Sequence, residues 1–512
     1  MTVQFKSSLD GPNLRGMPIV AEPSTGLRVG INRIGSQWLP GSSGKFLKID
    51  SPSTGEELGY LALSTRADVG RAVEAADAAR PLISQMGVFQ RAALCMKIAA
   101  EIDRRTDELA RLLCLEQGKP FHSEAKAEVG AASLGFRNAA EQMKWLETAA
   151  FPVADANKRA FSFLQPKGVL AIITPWNFPL GLPCLYYLGP AVATGNTVVW
   201  IPAPTTSLIA VALMECLIEA GLPDGVINLV LGDGAEVGDE AVIHPGTHAI
   251  GFTGSSVTGG IIARRGAGKP LLLEMGGNGP TIVLPDAHID LAAELVGAGC
   301  FANAGQICTA TERILVHKSI HDRFVEGLIK AAEKVRMGDP FDPSTTMGPV
   351  NNASALDKML EHMNDAFARK ADVVKGGRIA AGMPTNLYFE PTVVTGLTRE
   401  SLLNKEESFG PVAPVLTFET DEEALELAAS SPYGLNAAVF TNSIKRAFFY
   451  TESLRCGIVN VNEKSCYWEP HIPAGGAAGT NSGLGRTGGR HTLMEMCDLK
   501  TMTIDITRGE PF

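Results

Sequence analysis

The stretch from Gly168 to Ile201, GVLAIITPWNFPLGLPCLYYLGPAVATGNTVVWI, decides the fold class of this chain. No charged residue occurs between Gly168 and Met214, a length and character that suit a membrane span. Prolines interrupt the stretch too often for a spanning helix. They are Pro175, Pro179, Pro183, Pro190, Pro202 and Pro204. The stretch therefore predicts a buried strand, a loop, a helix and a second strand that cross a large core.

Short apolar runs alternate with helical patterns along most of the chain. The runs that predict strands are 169–173, 197–201, 227–230 and 250–252 in a first series, and 281–284, 313–317, 413–418, 437–440 and 457–461 in a second. Helical patterns separate them, notably at 206–220 and 235–243. Alternating strands and helices indicate βαβ units and a parallel sheet. Two such series predict an α/β fold with two lobes.

The first 150 residues are predicted to be mostly helical after an irregular start. Residues 1–44 are rich in Gly, Pro and Ser and predict an extended segment with a short strand near 29–33. Thr65 and Asp68 have the spacing of a helix N-terminus, at which the two residues cap each other. Three helices are predicted to follow, over 66–86, 90–117 and 123–148.

Composition and charge exclude several classes of protein. The 512 residues suffice for two or three domains, and 45% hydrophobic with 20% charged residues is ordinary for a globular protein. The net charge of −10 and the isoelectric point near 5.5 argue against a surface for nucleic acid or anionic membranes. Nine cysteines without a C-x-x-C pair indicate reduced thiols in a cytoplasmic protein. Met1 to Asp10 lack the apolar core of a signal peptide, and no metal site is predicted.

One cysteine stands out by its surroundings. The segment FANAGQICT, residues 301–309, places Cys308 in a loop of small and polar residues after an apolar helical run at 291–301. A ligand can reach a thiol in such a loop. The thiolate is the nucleophilic form, and a free cysteine with a pKa of roughly 8.5 is mostly protonated at neutral pH. The alternative is a small buried side chain, which is the prediction for most of the other eight cysteines.

Two further motifs favour the catalytic interpretation. They are PWNFP at 175–179 and LEMGGN at 273–278, and GQIC follows at 305–308. In this order and at this spacing, the three motifs resemble those of the aldehyde dehydrogenase superfamily, which carries PWNFP, a later E-L-G-G and a G-Q-x-C segment. The resemblance extends from about Gly44 to Lys500. It implies two Rossmann-like lobes with parallel sheets, one for the cofactor and one for catalysis, and a small β arm for oligomerisation.

The resemblance also implies a division of the chain. Residues 45–150 and 169–280 would form the cofactor-binding domain, 281–475 the catalytic domain, and 151–168 with 488–512 the oligomerisation arm, after an N-terminal extension of 1–44. Such an arm implies a homodimer or a homotetramer. A run near 502–506 alternates apolar and polar residues like an edge strand. Its alternative role is to complete a sheet of its own chain.

By resemblance, the reaction is the NAD(P)-dependent oxidation of an aldehyde to a carboxylic acid. Cys308 would attack the carbonyl carbon and carry a thiohemiacetal and then a thioester. The side-chain amide of Asn177 and the backbone N–H of Cys308 would hold the oxyanion. Glu274 would activate the water that hydrolyses the thioester. The alternatives are that Asn177 only forms a turn between prolines and that Glu274 is a solvated carboxylate at a strand end.

A strand-to-helix turn is the predicted diphosphate site. FTGSSVTG, residues 252–259, lets the N–H groups of a helix N-terminus face a phosphate. A G-x-G-x-x-G match at 483–488 is rejected because no strand precedes it and no suitably placed acidic residue follows. The resemblance implies that the dinucleotide contacts Ile173, Thr174, Pro175, Trp176, Pro202, Gly234, Gly254, Ser255, Gly259, Met275, Glu407 and Phe409.

The chain departs from the family where the adenosine ribose would bind. Ile201 stands where the family usually has a lysine, and Pro204 stands where it often has a glutamate. Neither side chain can hydrogen-bond a ribose. Loss of the carboxylate removes repulsion of a 2′-phosphate, whereas loss of the lysine removes a cation that could bind it. NAD is the predicted cofactor, and NADP stays open.

The substrate channel implied by the resemblance is mostly apolar and aromatic. Its predicted residues are Tyr186, Ile307, Thr309 and Trp468. They favour an aromatic or medium-sized aldehyde over a small charged one. Two other functions stay open. One is a CoA-acylating relative, against which Glu274 argues because such relatives generally lack the base, and the other is a catalytically silent structural or binding protein with the same fold.

Overall fold

The computed structural model describes residues 2–3 and 28–507. Its strands are β1 Thr2–Val3, β2 Arg28–Gly30, β3 Asn32–Ile34, β4 Gln37–Leu39, β5 Phe46–Asp50, β6 Glu57–Ala62, β7 Ala150–Phe151, β8 Lys158–Pro166, β9 Val169–Thr174, β10 Thr197–Pro202, β11 Ile227–Leu229, β12 Ala249–Gly254, β13 Leu271–Met275, β14 Pro280–Val283, β15 Arg313–His317, β16 Asp372–Lys375, β17 Thr392–Thr395, β18 Val412–Phe418, β19 Asn436–Phe440, β20 Ile458–Val461, β21 Gly483–Leu484 and β22 Cys497–Asp505.

Helices lie between most of these strands. The α-helices are α1 Arg66–Ser84, α2 Val88–Arg104, α3 Thr106–Gln117, α4 Lys126–Gln142, α5 Gly189–Thr194, α6 Ser207–Glu219, α7 Asp239–Ile243, α8 Ser256–Arg265, α9 Ile289–Phe301, α10 His321–Lys334, α11 Ala353–Ala368, α12 Leu402–Lys405, α13 Asp421–Ala428, α14 Ile444–Ser453 and α15 Gly489–Glu495. Shorter helical turns include Pro183–Leu188, Pro204–Thr206, Gly234–Gly238 and Ala302–Gly305. In the part of the chain that the structure describes, no helix is long and apolar enough to cross a membrane.

The first large sheet has eight strands in the order β21-β13-β12-β9-β10-β11-β3-β4. Its five central strands, β13 to β11 in that order, are parallel. The two strands that follow β9 in the chain, β10 and β11, lie on one side of it. The next two, β12 and β13, lie on its other side. The strand order therefore reverses between β9 and β12. In open parallel sheets, ligands bind beyond the carboxyl ends of the strands at such a reversal.

The second large sheet has seven strands in the order β16-β17-β18-β15-β14-β19-β20. All of its pairs are parallel except β16 with β17. The two sheets match the two predicted lobes, and the buried strand, loop, helix and strand over 169–202 are present as β9, α5 and β10. A separate apolar core lies on each face of each sheet, because helices cover both faces.

Residues 28–39 contain more structure than the sequence predicted. Three strands form there rather than one. β2 pairs with β6, and β3 with β4 extends the first large sheet next to β11. The buried side-chain amide of Asn32 joins this segment to the lobe, because it accepts from the backbone N–H of Leu231 at 2.8 Å and donates to Ser64 at 2.8 Å. The rest of the predicted extension, apart from β1, lies outside the described residues, and the domain boundaries stay a prediction.

The first helical region differs from prediction in one place. α1 begins as expected, and Asp68 accepts a hydrogen bond from the backbone N–H of Thr65 at 2.8 Å. The single helix predicted over 90–117 is two helices, α2 and α3, which meet at Arg105. The guanidinium of Arg105 binds Glu108 and Glu215, at 2.6 and 2.9 Å. A periodicity of apolar residues continues through a bend of this kind, so it cannot reveal the bend.

The two segments predicted to form the arm pair with each other. All nine residues of β22 pair with β8 in antiparallel register, and β7 pairs with the other edge of β8. The described residues provide no strand for the outer edge of β22. The predicted last strand is therefore real and longer than its predicted range.

Candidate active site

The loop that carries Cys308 is held in an unusual backbone conformation. Asn303, Ala304 and Gly305 all have positive φ, at 49°, 53° and 73°. A Cβ atom at Gly305 would lie 2.0 Å from the carbonyl oxygen of Gly410, so only glycine fits there. This tight turn follows α9 and leaves Cys308 partly exposed. The side chain is thus reachable, as predicted, whereas six of the other eight cysteines are buried.

Glu274 is buried in β13, and its carboxyl lies close enough to the Cys308 side chain for each group to shift the pKa of the other. It is 3% exposed, so the alternative of a solvated carboxylate does not hold. Its Oε2 atom has no hydrogen-bond partner among the described residues. Burial raises the pKa of Glu274 to about 8, and the charge of Glu407 adds to the increase. A pKa this close to neutral pH lets Glu274 both hold and release a proton under working conditions, which suits a general acid or base.

Loss of hydration around the sulfur keeps the Cys308 thiol protonated, although the residue as a whole is partly exposed. This loss raises the pKa of Cys308 well above the usual value, and the charge of Glu274 raises it further. A neutral thiol and a carboxyl group of raised pKa thus lie beside each other. This is the arrangement of a nucleophile and its base, in which the thiolate forms when the carboxylate takes the proton.

Asn177 contacts the Cys308 loop just before the cysteine. It follows β9, is 6% exposed, and donates from Nδ2 to the backbone oxygen of Gln306 at 3.0 Å. An amide nitrogen carries two hydrogens, so one N–H remains for a further acceptor. The amide is thereby fixed against the loop two residues before Cys308, where a donor for an oxyanion is needed.

A buried ion pair that the sequence analysis missed supports Asn177. The ammonium of Lys119 pairs with Glu128 and donates to the backbone oxygen of Asn177 at 2.7 Å. The two side chains of the pair are 1% and 2% exposed. The Glu128 carboxylate also accepts from the backbone N–H groups of Leu180 and Gly181, at 2.9 and 3.0 Å. This pair joins the helical region to the PWNFP loop, and only a contact between distant residues could have revealed it.

Most predicted cofactor residues meet at the carboxyl ends of the central strands. In strand register, Ile173 lies beside Phe252, Thr174 beside Pro202, and Gly254 beside Met275. Pro175 and Trp176 continue from β9, and Ser255 follows β12. These positions surround the reversal of strand order between β9 and β12. Gly234 starts a helical turn beyond β11, two strands from the reversal.

The start of α8 suits a diphosphate. The Ser255 side chain caps this helix by accepting from the backbone N–H of Thr258 at 3.2 Å. The N–H groups of Ser256 and Val257 have no carbonyl one turn earlier within the helix. A Cβ atom at Gly259 would lie 1.9 Å from the sulfur of Met275, so glycine leaves the space that the Met275 side chain occupies. The region beyond the carboxyl ends of β9 and β12, called the crevice below, therefore presents helix N–H groups, which fits a dinucleotide.

The two positions that depart from the family pattern offer no polar group to a ribose. Ile201 is buried and belongs to the apolar core that also contains Val199 and Ile250. Pro204 begins the helical turn that precedes α6. A dinucleotide bound in this crevice would therefore receive no side-chain hydrogen bond from either position.

Glu407 and Phe409 bring the second lobe to the same crevice. Glu407 is buried, and it accepts from the backbone N–H of Gly277, in the loop after Glu274, at 3.0 Å. Burial raises the pKa of Glu407 to about 7. The ring of Phe409 meets Trp176 edge to face, with 5.5 Å between the centroids. The segment 407–409 is therefore a contact between the two lobes.

Two predicted substrate residues lie together near the nucleophile. The rings of Tyr186 and Trp468 meet edge to face with 5.4 Å between centroids. Burial raises the pKa of Tyr186, and the charges of Glu274 and Cys308 raise it further. Trp468 also donates to the backbone oxygen of Ile472 at 2.8 Å, which fixes its ring.

The other two predicted substrate residues flank Cys308 directly. Ile307 and Thr309 are both partly exposed. The backbone oxygen of Thr309 accepts from the side chains of Asn436 and Ser465, at 3.0 and 2.8 Å. These bonds hold the loop just after Cys308, whereas Asn177 binds it just before Cys308.

Metal-ligating clusters are absent from the described residues, in which no three His, Cys, Asp or Glu side chains could hold an ion. Two pairs of histidines have helical i, i+4 spacing, His244 with His248 and His317 with His321. The first pair binds the backbone instead. His248 accepts from the N–H of Val169 at 3.0 Å, and His244 accepts from that of Gly246 at 3.1 Å.

Comparison with known proteins agrees with this geometry. The model of the aldehyde dehydrogenase family matches residues 38–502. The mitochondrial succinate-semialdehyde dehydrogenase of Arabidopsis thaliana is 36% identical over 480 residues, which are 93% of this chain and 89% of that protein. The chain therefore belongs to the aldehyde dehydrogenase family and is an enzyme of that class.

Solved structures give the same result for the fold. The crystal structure of an E. coli NADP dependent enzyme has a TM-score of 0.90 and 35% identity, and the match covers 93% of this chain and 98% of that one. Betaine aldehyde dehydrogenase from Staphylococcus aureus, in complex with NAD+, has a TM-score of 0.89 and 33% identity, covering 94% of this chain and 95% of that one. The predicted α/β fold with two parallel-sheet lobes is confirmed.

Proposed function

We propose that this enzyme oxidises its aldehyde to the carboxylic acid through a covalent intermediate on Cys308, with NAD as the oxidant. One observation carries the proposal: the buried Glu274 carboxyl lies beside the Cys308 side chain, close enough for each group to shift the pKa of the other, and its Oε2 atom has no partner among the described residues. An orphaned buried oxygen costs free energy, and a water molecule would satisfy it. Such a water would lie next to the sulfur, where a thioester has to be hydrolysed.

The first step belongs to Cys308. Its proton passes to Glu274 or to solvent, and the thiolate forms a C–S bond to the aldehyde carbon. The carbonyl π electrons move to oxygen, which the free N–H of Asn177 and the backbone N–H of Cys308 hold. Each such donor contributes about 3 kcal/mol in comparable sites. A nicotinamide bound in this crevice would supply the hydride acceptor that oxidation of the thiohemiacetal carbon to the thioester requires.

The second step belongs to Glu274. Any proton that it took from Cys308 first passes to solvent, and the carboxylate then takes a proton from water while the water oxygen bonds to the thioester carbon. The C–S bond then breaks, so the carboxylic acid leaves and the Cys308 thiolate is restored. In sum, aldehyde, water and NAD(P)+ become acid, NAD(P)H and a proton.

The dinucleotide would be held by the residues at the reversal of strand order. The N–H groups at the start of α8 would face the diphosphate, and Glu407 with Phe409 would face the nicotinamide end. NAD is the cofactor that we propose. NADP is the competing choice, because one structural relative is NADP dependent and another was solved with NAD+.

The substrate is proposed to be an aromatic or medium-sized apolar aldehyde. Tyr186 and Trp468 form an aromatic pair beside the nucleophile, and Ile307 adds an apolar side chain. The relatives named above act on different aldehydes, so the family likeness does not choose among substrates. Succinate semialdehyde is the competing class that the test must include.

Oligomerisation and location are proposed from the same resemblance. The outer edge of β22, which has no partner strand among the described residues, would bind a second copy in a homodimer or homotetramer. The cysteines that the structure describes form no disulfide, which agrees with a cytoplasmic protein. Sedimentation would test the first of these two proposals.

The decisive assay follows absorbance at 340 nm with aromatic, aliphatic and acidic aldehydes, each with NAD and with NADP. We expect a rise with one class of aldehyde, and none in the Cys308→Ala variant. The matched control is Cys456→Ala, another partly exposed cysteine, which should keep its activity. Turnover by Cys308→Ala, or no turnover with any pair, would contradict the proposal.

A further inference from the structure

Three buried glutamates share one arrangement in this fold. Each accepts hydrogen bonds from two successive backbone N–H groups of a distant segment. The pairs are Glu116 with Leu208 and Ile209 at 2.7 and 2.9 Å, Glu128 with Leu180 and Gly181 at 2.9 and 3.0 Å, and Glu312 with Ser408 and Phe409 at 2.8 and 2.7 Å. Glu128 already belongs to the site through Lys119. Glu312 instead binds residues 408 and 409, which follow Glu407.

Glu312 lies between the nucleophile and the cofactor segment. It is buried and directly precedes β15, four residues after Cys308. Its two donors directly follow Glu407. Burial and the charge of Glu407 raise the pKa of Glu312, whereas its two N–H donors lower it. A second carboxyl is thus kept close to Glu407 despite repulsion.

The backbone conformation of Phe409 explains why the Glu312 carboxyl is held at this position. The backbone of Phe409 has φ at 56°, in the left-handed region that bulky residues rarely adopt. Its N–H is one of the two that Glu312 binds. This conformation turns the ring toward Trp176, which follows β9. Ser408 is also held by its hydroxyl, at 3.0 Å from Nδ1 of His362, whereas the backbone N–H of Phe409 is held by Glu312 at 2.7 Å.

We propose that Glu312 is a positioning residue for cofactor binding. It ties the strand that follows the Cys308 loop to residues 407–409, and it thereby holds Glu407 and the Phe409 ring at the nicotinamide end of the crevice. The inference rests on the proposed function, because it assumes that a dinucleotide occupies this crevice.

Glu312→Gln tests the proposal with a minimal change of shape. An amide has only one oxygen, so its NH₂ group would face one of the two N–H donors. Glu116→Gln is the matched control, because it makes the same change at a buried pair of donors at the start of α6. Both variants should lose stability, but only Glu312→Gln should change cofactor binding.

The measurements are the KM for NAD, kcat, and the rate at which iodoacetamide alkylates Cys308 without cofactor. For Glu312→Gln, we expect KM for NAD to rise by about tenfold, with kcat within about threefold and alkylation unchanged. For Glu116→Gln, KM should stay at the wild-type value. Equal KM values in the two variants would overturn the proposal.

Two further measurements keep the test decisive. Phe409→Ala leaves both N–H donors in place, and it should raise KM for NAD by a similar factor. In the double variant with Glu312→Gln, the two effects should add incompletely, and full additivity would count against the mechanism. Quenching of tryptophan fluorescence by NAD needs no turnover. A wild-type protein that binds NAD without oxidising aldehydes would refute the proposed function while leaving the inference testable by this binding assay.

Discussion

The catalytic end and the adenosine end of the crevice differ in how their side chains are held. At the catalytic end, Asn177 and Glu274 are buried and each is tied to the Cys308 loop. At the adenosine end, Ile201 lies in an apolar core and Pro204 only begins a helical turn. The polar groups that we propose to act on the substrate are thus present and held in place, whereas polar groups for the ribose are absent at these two positions. We therefore expect substitutions at the catalytic end to change the reaction rate, and substitutions at the adenosine end to change nucleotide affinity.

Glu274→Gln should impair the catalytic end most severely after loss of Cys308 itself. Glutamine cannot take the proton from water, so steady-state turnover should fall by about 10²–10⁴-fold. One equivalent of NADH should still form rapidly before the reaction stops. Stopped-flow absorbance at 340 nm measures both phases. Normal steady-state turnover would exclude Glu274 as the base.

Lys119→Met tests the buried ion pair that holds the backbone of Asn177. Removing the ammonium leaves Glu128 buried without its partner, at a cost of roughly 3–5 kcal/mol. The Asn177 backbone also loses a donor, so kcat should fall by about 10-fold or more. Denaturant unfolding and initial rates measure the two effects. Lys126→Met is the control, since its partner Asp107 is largely exposed and little stability should be lost. Unchanged kcat in folded Lys119→Met would remove the pair from the site.

The raised pKa of Glu274 predicts how stability depends on pH. Its pKa is about 8 in the folded chain and 4.5 in an ordinary glutamate, so between these values the folded state keeps a proton that the unfolded state has lost. Stability therefore falls as pH rises from about 5 to 8. Glu274→Gln removes this loss, so the variant should exceed the wild type by about 2 kcal/mol or more at pH 8, and by little at pH 5. The same difference in unfolding free energy at both pH values would contradict this.

Pro204→Glu should have the smallest effect, and it concerns the adenosine end. A carboxylate there begins a helical turn and would repel a 2′-phosphate. We expect the ratio of kcat/KM for NAD over NADP to rise about threefold to tenfold, with kcat unchanged. A ratio unaffected by the carboxylate would place the ribose elsewhere.

Local patterns predicted much of this architecture. The apolar runs at 169–173 and 313–317 became strands, and the small residues of 302–306 predicted an accessible Cys308. β13, which carries Glu274, was not among the predicted strand runs, although one alternative placed Glu274 at a strand end; only three apolar residues precede the charged one. The Gly-rich segment at 483–488 was rejected as a dinucleotide site, and its first two residues pair with β13 as β21.

The features that the sequence did not predict depend on contacts between residues that are far apart in the chain. Glu312 meets residues 96 and 97 positions away, and Lys119 reaches Asn177 over 58 positions. Neither residue lies in a motif that the sequence analysis recognised. Their roles depend on which loops the two sheets bring together, and a single sequence does not encode that in any local period.

The most direct test of covalent catalysis by Cys308 is the mass of intact Glu274→Gln protein after mixing with NAD and an aldehyde that the wild type oxidises. We expect an added acyl group, located on Cys308 by peptide mapping and absent when NAD is omitted. An unmodified Cys308 in a variant that has formed NADH, or an acyl group on another residue, would contradict the mechanism.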